Sequence, residues 1–314
     1  MPDPTPANVI DVSRLSKRYG PPESGLLAVD QISFQVHPGE VFGFLGPNGA
    51  GKTTTIRMLA GLSEPTAGRV RMLGLDRSRD LPQIKKRIGV VPEASNLYNE
   101  LTAFGNLIFS MQLYGVPRAE RARRAEELLA RFRLAEKRDT PFGKLSRGMK
   151  RALTIAAALA HRPDLVFLDE PTTGLDVISA RNLRQLIAEL RQEGVTVFLT
   201  THYLEEAERL CDRIAIIVRG QIVALDTVAG LKARVRDTTA VEVTLEKETG
   251  PSETRRLTGD TPAALVREAL AQAESEEKRV LALHTVQPTL EDVFVELTGL
   301  SAEEMQVEKE GKGK

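Results

Sequence analysis

Val41-Phe42-Gly43-Phe44-Leu45-Gly46-Pro47-Asn48-Gly49-Ala50-Gly51-Lys52-Thr53 is the stretch on which the fold turns. A mostly apolar run enters Gly46 as a buried strand does, and the glycines that follow break any regular pattern. Beyond Thr53 the spacing changes: Ile56, Leu59 and Ala60 fall at i, i+3 and i+4, sharing one helix face, and Gly61 closes the segment. Upstream, Ile32-Ser33-Phe34-Gln35-Val36 alternates in strand fashion before Pro38-Gly39-Glu40 turns the chain. The unit reads as strand, glycine loop, helix.

Working outward, Leu165-Val166-Phe167-Leu168, Val195-Thr196-Val197-Phe198-Leu199 and Ile214 to Val218 are nearly all apolar, as strands buried on both faces are. Between them Leu183, Leu186, Ile187 and Leu190 mark one face of a helix from Val177 to Gln192, so strands and helices alternate and a mostly parallel α/β sheet is expected. From about Ser95 to Arg162 the pattern is helical instead: Phe104, Leu107, Ile108 and Met111 share a face, Thr102 caps it, and Gly115 ends it. Further helical spacing follows Pro117. The arginines of this insert alternate with Glu120, Glu126 and Glu127, which reads as a solvated helix face. Residues 1–230 thus form one domain with a helical insert at 95–162. A second, small α+β domain is expected over 231–300, from alternation at Val241 to Leu245, helical spacing at Pro262 to Ala273, an extended run at Val280 to Leu283 and a helix at Thr289 to Leu297. Ser301 to Lys314 is charged and nearly devoid of large apolar residues, and reads as a disordered tail.

A chain of 314 residues accommodates about two domains. Its 43 basic and 43 acidic residues leave no surplus of positive charge, so no nucleic-acid partner is expected. Cys211 is the only cysteine, which excludes an intrachain disulfide and a thiolate metal cluster. Met1 to Asp11 carries prolines and aspartates where an export signal would be basic and then apolar. Ala152 to Ala160, the most apolar stretch, is far shorter than the ~18 residues a membrane span needs, so any membrane role is expected to be peripheral.

Gly46 to Thr53 matches the phosphate-binding P-loop pattern: a glycine, four residues, then Gly51-Lys52-Thr53. Glycines let backbone N–H groups converge on phosphate oxygens, the following helix presents its positive end, Lys52 reaches the β- and γ-phosphates, and Thr53 offers a hydroxyl to Mg²⁺. A magnesium nucleotide also needs a carboxylate for the metal and a group that aligns water with the γ-phosphate. Asp169 and Glu170 end the apolar run Leu165 to Leu168, at the ligand side of a parallel sheet. Asp169 is assigned to Mg²⁺ and Glu170 to the attacking water as general base.

With the later motifs, the chain resembles the nucleotide-binding subunit of ABC transporters over roughly Val9 to Leu225. Leu145-Ser146-Arg147-Gly148-Met149 is similar to that family's signature; Leu168-Asp169-Glu170-Pro171-Thr172, Gly174-Leu175-Asp176 and Thr200-Thr201-His202 follow in order. The resemblance implies ATP bound by Gly46, Asn48, Gly49, Gly51, Lys52, Thr53 and Thr54, with Tyr19 stacking on the adenine. It implies that Ser146 and Gly148 meet the γ-phosphate of nucleotide on an opposite subunit, that Asp176 crosses the interface of a head-to-tail dimer, and that His202 contacts the γ-phosphate. Glu93 stands where most members carry a glutamine at Mg²⁺, and Arg147 and Met149 replace a glycine and a glutamine of the signature.

The combination of Leu145 to Lys150, Glu93, and Pro288-Thr289-Leu290-Glu291-Asp292-Val293-Phe294 resembles the daunorubicin-resistance-type exporter ATPases. That implies an ATPase at the cytoplasmic face of the membrane, paired with a second copy or a homologous ATPase and powering a separate transmembrane permease. Two other readings stay open: an importer ATPase, and a soluble ABC ATPase acting on ribosomes or nucleic acid. The translation type of the latter joins two cassettes and the DNA-repair type inserts a long coiled coil, whereas this sequence has one P-loop and a short insert.

Overall fold

The computed structural model describes residues 8–235, 239–246, 252–259, 261–286 and 288–300. The chain opens with β1 (Ile10–Tyr19) and β2 (Leu26–Val36), then β3 (Val41–Leu45), α1 (Lys52–Leu59), β4 (Ala67–Met72), β5 (Leu75–Asp76), α2 (Arg77–Lys85) and β6 (Ile88–Val91). A helical stretch follows with α3 (Ala103–Leu113), α4 (Arg118–Arg131) and α5 (Arg147–Leu159). After it come β7 (Leu165–Asp169), α6 (Val177–Gln192), β8 (Thr196–Thr201), α7 (Leu204–Leu210), β9 (Arg213–Val218) and β10 (Gln221–Thr227). The last elements are α8 (Val228–Lys232), β11 (Thr239–Leu245), β12 (Glu253–Gly259), α9 (Pro262–Ser275), β13 (Val280–Val286) and α10 (Leu290–Thr298).

The larger sheet has the order β10-β9-β3-β8-β7-β6, with β9, β3, β8, β7 and β6 all parallel. Every residue of β3, β7 and β8 is buried, which explains their unbroken apolar character. The register sets Leu45 opposite Thr201 and Asp169 opposite Thr200. The loops that leave β3, β7 and β8 therefore emerge together at one edge.

The strand at Ile32–Val36 belongs elsewhere, to a second, antiparallel sheet of order β2-β1-β4-β5. The reason is its alternation: Ile32, Phe34 and Val36 are buried while Gln31, Ser33 and Gln35 are exposed, so only one face meets the core. Phenylalanines join the two sheets. Phe34 stacks on Phe42 at 5.6 Å and approaches Phe44 and Phe198 at 5.5 and 6.0 Å, and Phe198 reaches Phe167 at 5.5 Å.

The helical stretch has its own core of Leu107, Met111, Leu129, Leu153 and Ala156. Thr102 caps α3 by accepting the Gly105 N–H at 2.9 Å, and Gly115 ends it with φ 73°. Packing divides the chain between Leu225 and Asp226. In the second unit the antiparallel sheet β12-β11-β13 is covered by α9, with Val243, Leu245, Ala269 and Ala273 buried together. There α10 packs on α8, burying Leu290, Val293, Phe294 and Leu231. The reading of Ser301 to Lys314 as a disordered tail lies outside the described residues.

Candidate nucleotide site

Gly46 to Gly51 bridge β3 and α1, and close packing explains why glycine is required. A Cβ on Gly46 would lie 2.1 Å from Ile217 O, and one on Gly51 would lie 2.5 Å from Ala28 O. Gly49 and Gly51 also hold φ values of 80° and 106°, in the left-handed region. Gly51 occupies the cap position of α1 with no side-chain hydrogen bond, so the first N–H groups of the helix are left for a ligand. Thr53 and Thr54, half-buried, sit in that first turn, and Asn48 lies within the loop.

Lys52 is buried, and its ammonium is held by Gly46 O at 2.6 Å, Pro47 O at 3.1 Å and Glu170 Oε1 at 3.1 Å. The Glu170 carboxylate also bonds His202 Nδ1 through Oε2 at 2.8 Å and accepts from Thr173 Oγ1 at 3.4 Å. Burial would raise the Glu170 pKa, but the His202 hydrogen bond and the Lys52 charge outweigh it and hold the carboxyl below its ordinary value. An ionised Glu170 is acceptor-only, so His202 donates through Nδ1–H and presents Nε2 as its other ring nitrogen.

Thr53 Oγ1 and Thr200 Oγ1 donate to Asp169 Oδ1 at 3.1 and 2.7 Å, and Thr200 Oγ1 in turn accepts the Glu170 N–H at 3.0 Å. Burial raises the Asp169 pKa, with the threonines opposing and the charges of Glu170 and Glu93 adding to the rise. A dication on Asp169 Oδ1 and Thr53 Oγ1 would reverse that shift, and both are hard oxygen donors of the kind Mg²⁺ takes. Among the described residues no group of three or more His, Cys, Asp or Glu forms a metal cage.

Glu170 has φ +45°, a left-handed conformation costing about 1–2 kcal/mol for a residue with a Cβ. Two buried charges that sequence reasoning missed surround this turn. Arg151 of α5, 6% exposed, donates to Asp169 O and Pro171 O, each at 2.9 Å, and to Pro92 O and Glu93 O; burial lowers its pKa to about 10. Glu206 of α7 accepts from Thr172 Oγ1 at 2.9 Å and Thr201 Oγ1 at 2.8 Å.

The signature residues are placed elsewhere on the same unit. Ser146 caps α5, accepting the Met149 N–H at 3.3 Å. Gly148 faces the start of α6, where a Cβ would lie 2.4 Å from Ser179 Oγ. Asp176 caps α6 through the Ser179 N–H at 2.9 Å. Arg147 lies against Gly174, leaving no room there for a Cβ, and donates to Thr173 O at 3.4 Å. The structure thus gathers Gly46 to Thr53, Asp169, Glu170 and His202 into one cluster, and Ser146, Gly148 and Asp176 into another. The Glu93 side chain is exposed while its carbonyl is held by Arg151. Tyr19, 40% exposed, ends β1 opposite Leu26, with Lys17 Nζ 5.0 Å from its ring centre. The adjoining strand β2 brings Ala28 and Val29 against Gly51.

The chain is similar to known proteins along most of its length. Residues 29–173 fit the family model described as ABC transporter. The chain is 39% identical over 291 residues to "Fluoroquinolones export ATP-binding protein MT2762" of Mycobacterium tuberculosis (strain CDC 1551 / Oshkosh), covering 93% of each chain. It is 36% identical over 324 residues to "Daunorubicin/doxorubicin resistance ATP-binding protein DrrA" of Streptomyces peucetius, covering 97% of this chain and 96% of that one. A solved dimeric post-hydrolysis state of the ATP-binding cassette MJ0796, bound to ADP and Pi, superposes with a TM-score of 0.65 at 27% identity, over 69% of this chain and 98% of that one. The chain belongs to the ATP-binding proteins of the ABC transporter family and is an ABC ATPase.

Proposed function

We propose that this ATPase powers export through a separate transmembrane permease, with Glu170 as general base. The observation that carries the reading is the buried cluster of Lys52, Glu170 and His202 at the sheet edge where the P-loop emerges. Thr53 and Asp169, with Glu93 nearby, would hold Mg²⁺, which would supply positive charge to the phosphates. Lys52 exchanges its loop carbonyls for phosphate oxygens, and Glu170, freed from Lys52, orients water and accepts its proton. Release from Lys52 removes one of the two influences that hold the buried Glu170 carboxyl below its ordinary value, so it becomes a better base as phosphate takes the lysine. His202 fixes the carboxylate through Nδ1 and directs Nε2 towards the γ-phosphate. Tyr19 stacks on the adenine, while Gly46, Asn48, Gly49, Gly51 and Thr54 contribute backbone and hydroxyl contacts.

The engagement of Ser146, Gly148 and Asp176 with the starts of α5 and α6 supports sharing of each nucleotide between two copies, these residues serving the partner's site. The dimeric state of the solved cassette agrees with this arrangement. Export is supported by relatives whose names give export or drug resistance and which match along nearly the whole chain. Among the described residues no helix is long and apolar enough to cross a membrane. The ATPase reaches the cytoplasmic face through its permease, and residues 231–300 serve as an accessory domain.

Glu170→Gln tests the base. It is expected to leave ATP affinity intact in equilibrium titration while turnover falls by roughly 10²–10⁴-fold. Lys52→Ala is expected to weaken ATP binding itself. Near-parental hydrolysis by purified Glu170→Gln removes Glu170 from the role.

A further inference from the structure

Arg151 lies just over one turn beyond Ser146, on the helix that Ser146 caps. Being 6% exposed, it must satisfy its charge and its five donors inside the protein. Its guanidinium bonds backbone carbonyls. Nη2 meets Asp169 O at 2.9 Å, Nε meets Pro171 O at 2.9 Å, and Nη1 is shared between Pro92 O and Glu93 O. The first two flank Glu170; the other two belong to the segment that leaves β6. A rigid planar fork spans these carbonyls only while the two segments keep one relative placement. Glu170, at φ +45°, is the kind of residue that relaxes unless its surroundings over-determine it. Its N–H is fixed by Thr200 and its side chain by Lys52 and His202, but the carbonyls on either side are fixed by Arg151.

We propose that Arg151 is a positioning residue for hydrolysis: its guanidinium holds the backbone on both sides of Glu170 so that the carboxylate stays aimed, and ties that turn to the Glu93 segment and to the helix that Ser146 begins. This rests on the reading of Glu170 as general base. Because Arg151 acts through backbone behind the carboxylate, its loss slows the chemical step and spares nucleotide affinity.

The test compares the full-length parent with Arg151→Gln, Glu170→Gln and the double variant, by ATPase rate at saturating ATP and by equilibrium ATP titration. Arg151→Gln is expected to lower kcat by at least about tenfold with Kd for ATP within about threefold of the parent. The double variant is expected to be no slower than Glu170→Gln alone, since a misaimed base and a missing base are one defect. Arg151→Lys carries the same test if the glutamine variant does not fold, because one ammonium cannot span all these carbonyls. Parental kcat in the folded variant, a loss confined to Kd, or defects that multiply in the double variant each overturn the proposal. Failure of both Arg151 variants to fold assigns the residue to stability alone and overturns it as well. Parental turnover in Glu170→Gln overturns instead the reading of the base beneath it.

Discussion

Glu206 shows what burial does to a single carboxyl beside this site. Oε2 accepts from Thr172 and Thr201, whereas Oε1 has no hydrogen-bond partner. Burial raises its pKa, the threonine bonds pull against the rise, Glu170 adds to it and Arg184 opposes it. The folded protein therefore retains this proton in a window above the unfolded value near 4.5. Stability from the group is full below that value and is lost as pH rises through the higher folded pKa. Glutamine is neutral at every pH and keeps an oxygen for the threonines. Glu206→Gln is expected to match the parent in acid and to gain about 1 kcal/mol near neutral pH, read from urea midpoints across pH. A variant midpoint that falls with pH as steeply as the parent's removes Glu206 from the linkage. Neither Glu206 nor Arg151 was legible in the sequence, unlike the P-loop glycines and Asp169-Glu170. A phosphate loop demands particular residues at fixed local spacing, and a strand end delivers its acids by position. A buried charge is defined by what lies across space. One signal did exist: Ala152 to Ala160 is apolar except for Thr154, so a charge at its threshold, Arg151, had to find partners inside.

Among the elements, α3 offers the cleanest trial of local chemistry. Thr102 Oγ1 accepts the Gly105 N–H, and the Asn106 side chain reaches back to the Thr102 and Leu101 carbonyls. Thr102→Ala removes the cap and is expected to cost about 1 kcal/mol. The readout is amide exchange in the first turn of α3, faster by roughly fivefold and restored by Thr102→Ser. Unchanged exchange would show that tertiary packing alone holds this helix end. Elements with a strict period or an unbroken apolar run were readable: α3 and α9 by the first, β3, β7 and β8 by the second. β1 was not, because its register shifts between Val12 and Leu15 and again on either side of Lys17, and Arg14 turns to φ 47°. Such breaks destroy the alternation that would have revealed the antiparallel sheet. β12 was hidden for another reason: Glu253-Thr254-Arg255-Arg256-Leu257-Thr258-Gly259 contains a single large apolar residue.

At the scale of the whole molecule, the two separate clusters make a prediction about assembly. In a mixed dimer of Lys52→Ala with Ser146→Ala, shared sites place both defects in one nucleotide position and leave the other intact. Isolated heterodimers are expected to trap ATP at one site, while each homodimer shows its own defect at both. Trapping no better than the better homodimer removes the shared-site model. The sheet order has a further consequence, in time rather than in space. β3 is hydrogen-bonded on one side to β8 and on the other to β9, and Phe42 and Phe44 rest on Phe198. During synthesis the central strand therefore leaves the ribosome well ahead of both neighbours. At the usual ~5–20 residues per second, a gap of roughly 150 residues is a wait of about 8–30 s. Throughout that interval the nascent chain carries two open strand edges and a phenylalanine surface that Phe34 covers only in part, the form in which newly made protein aggregates or is met by chaperones.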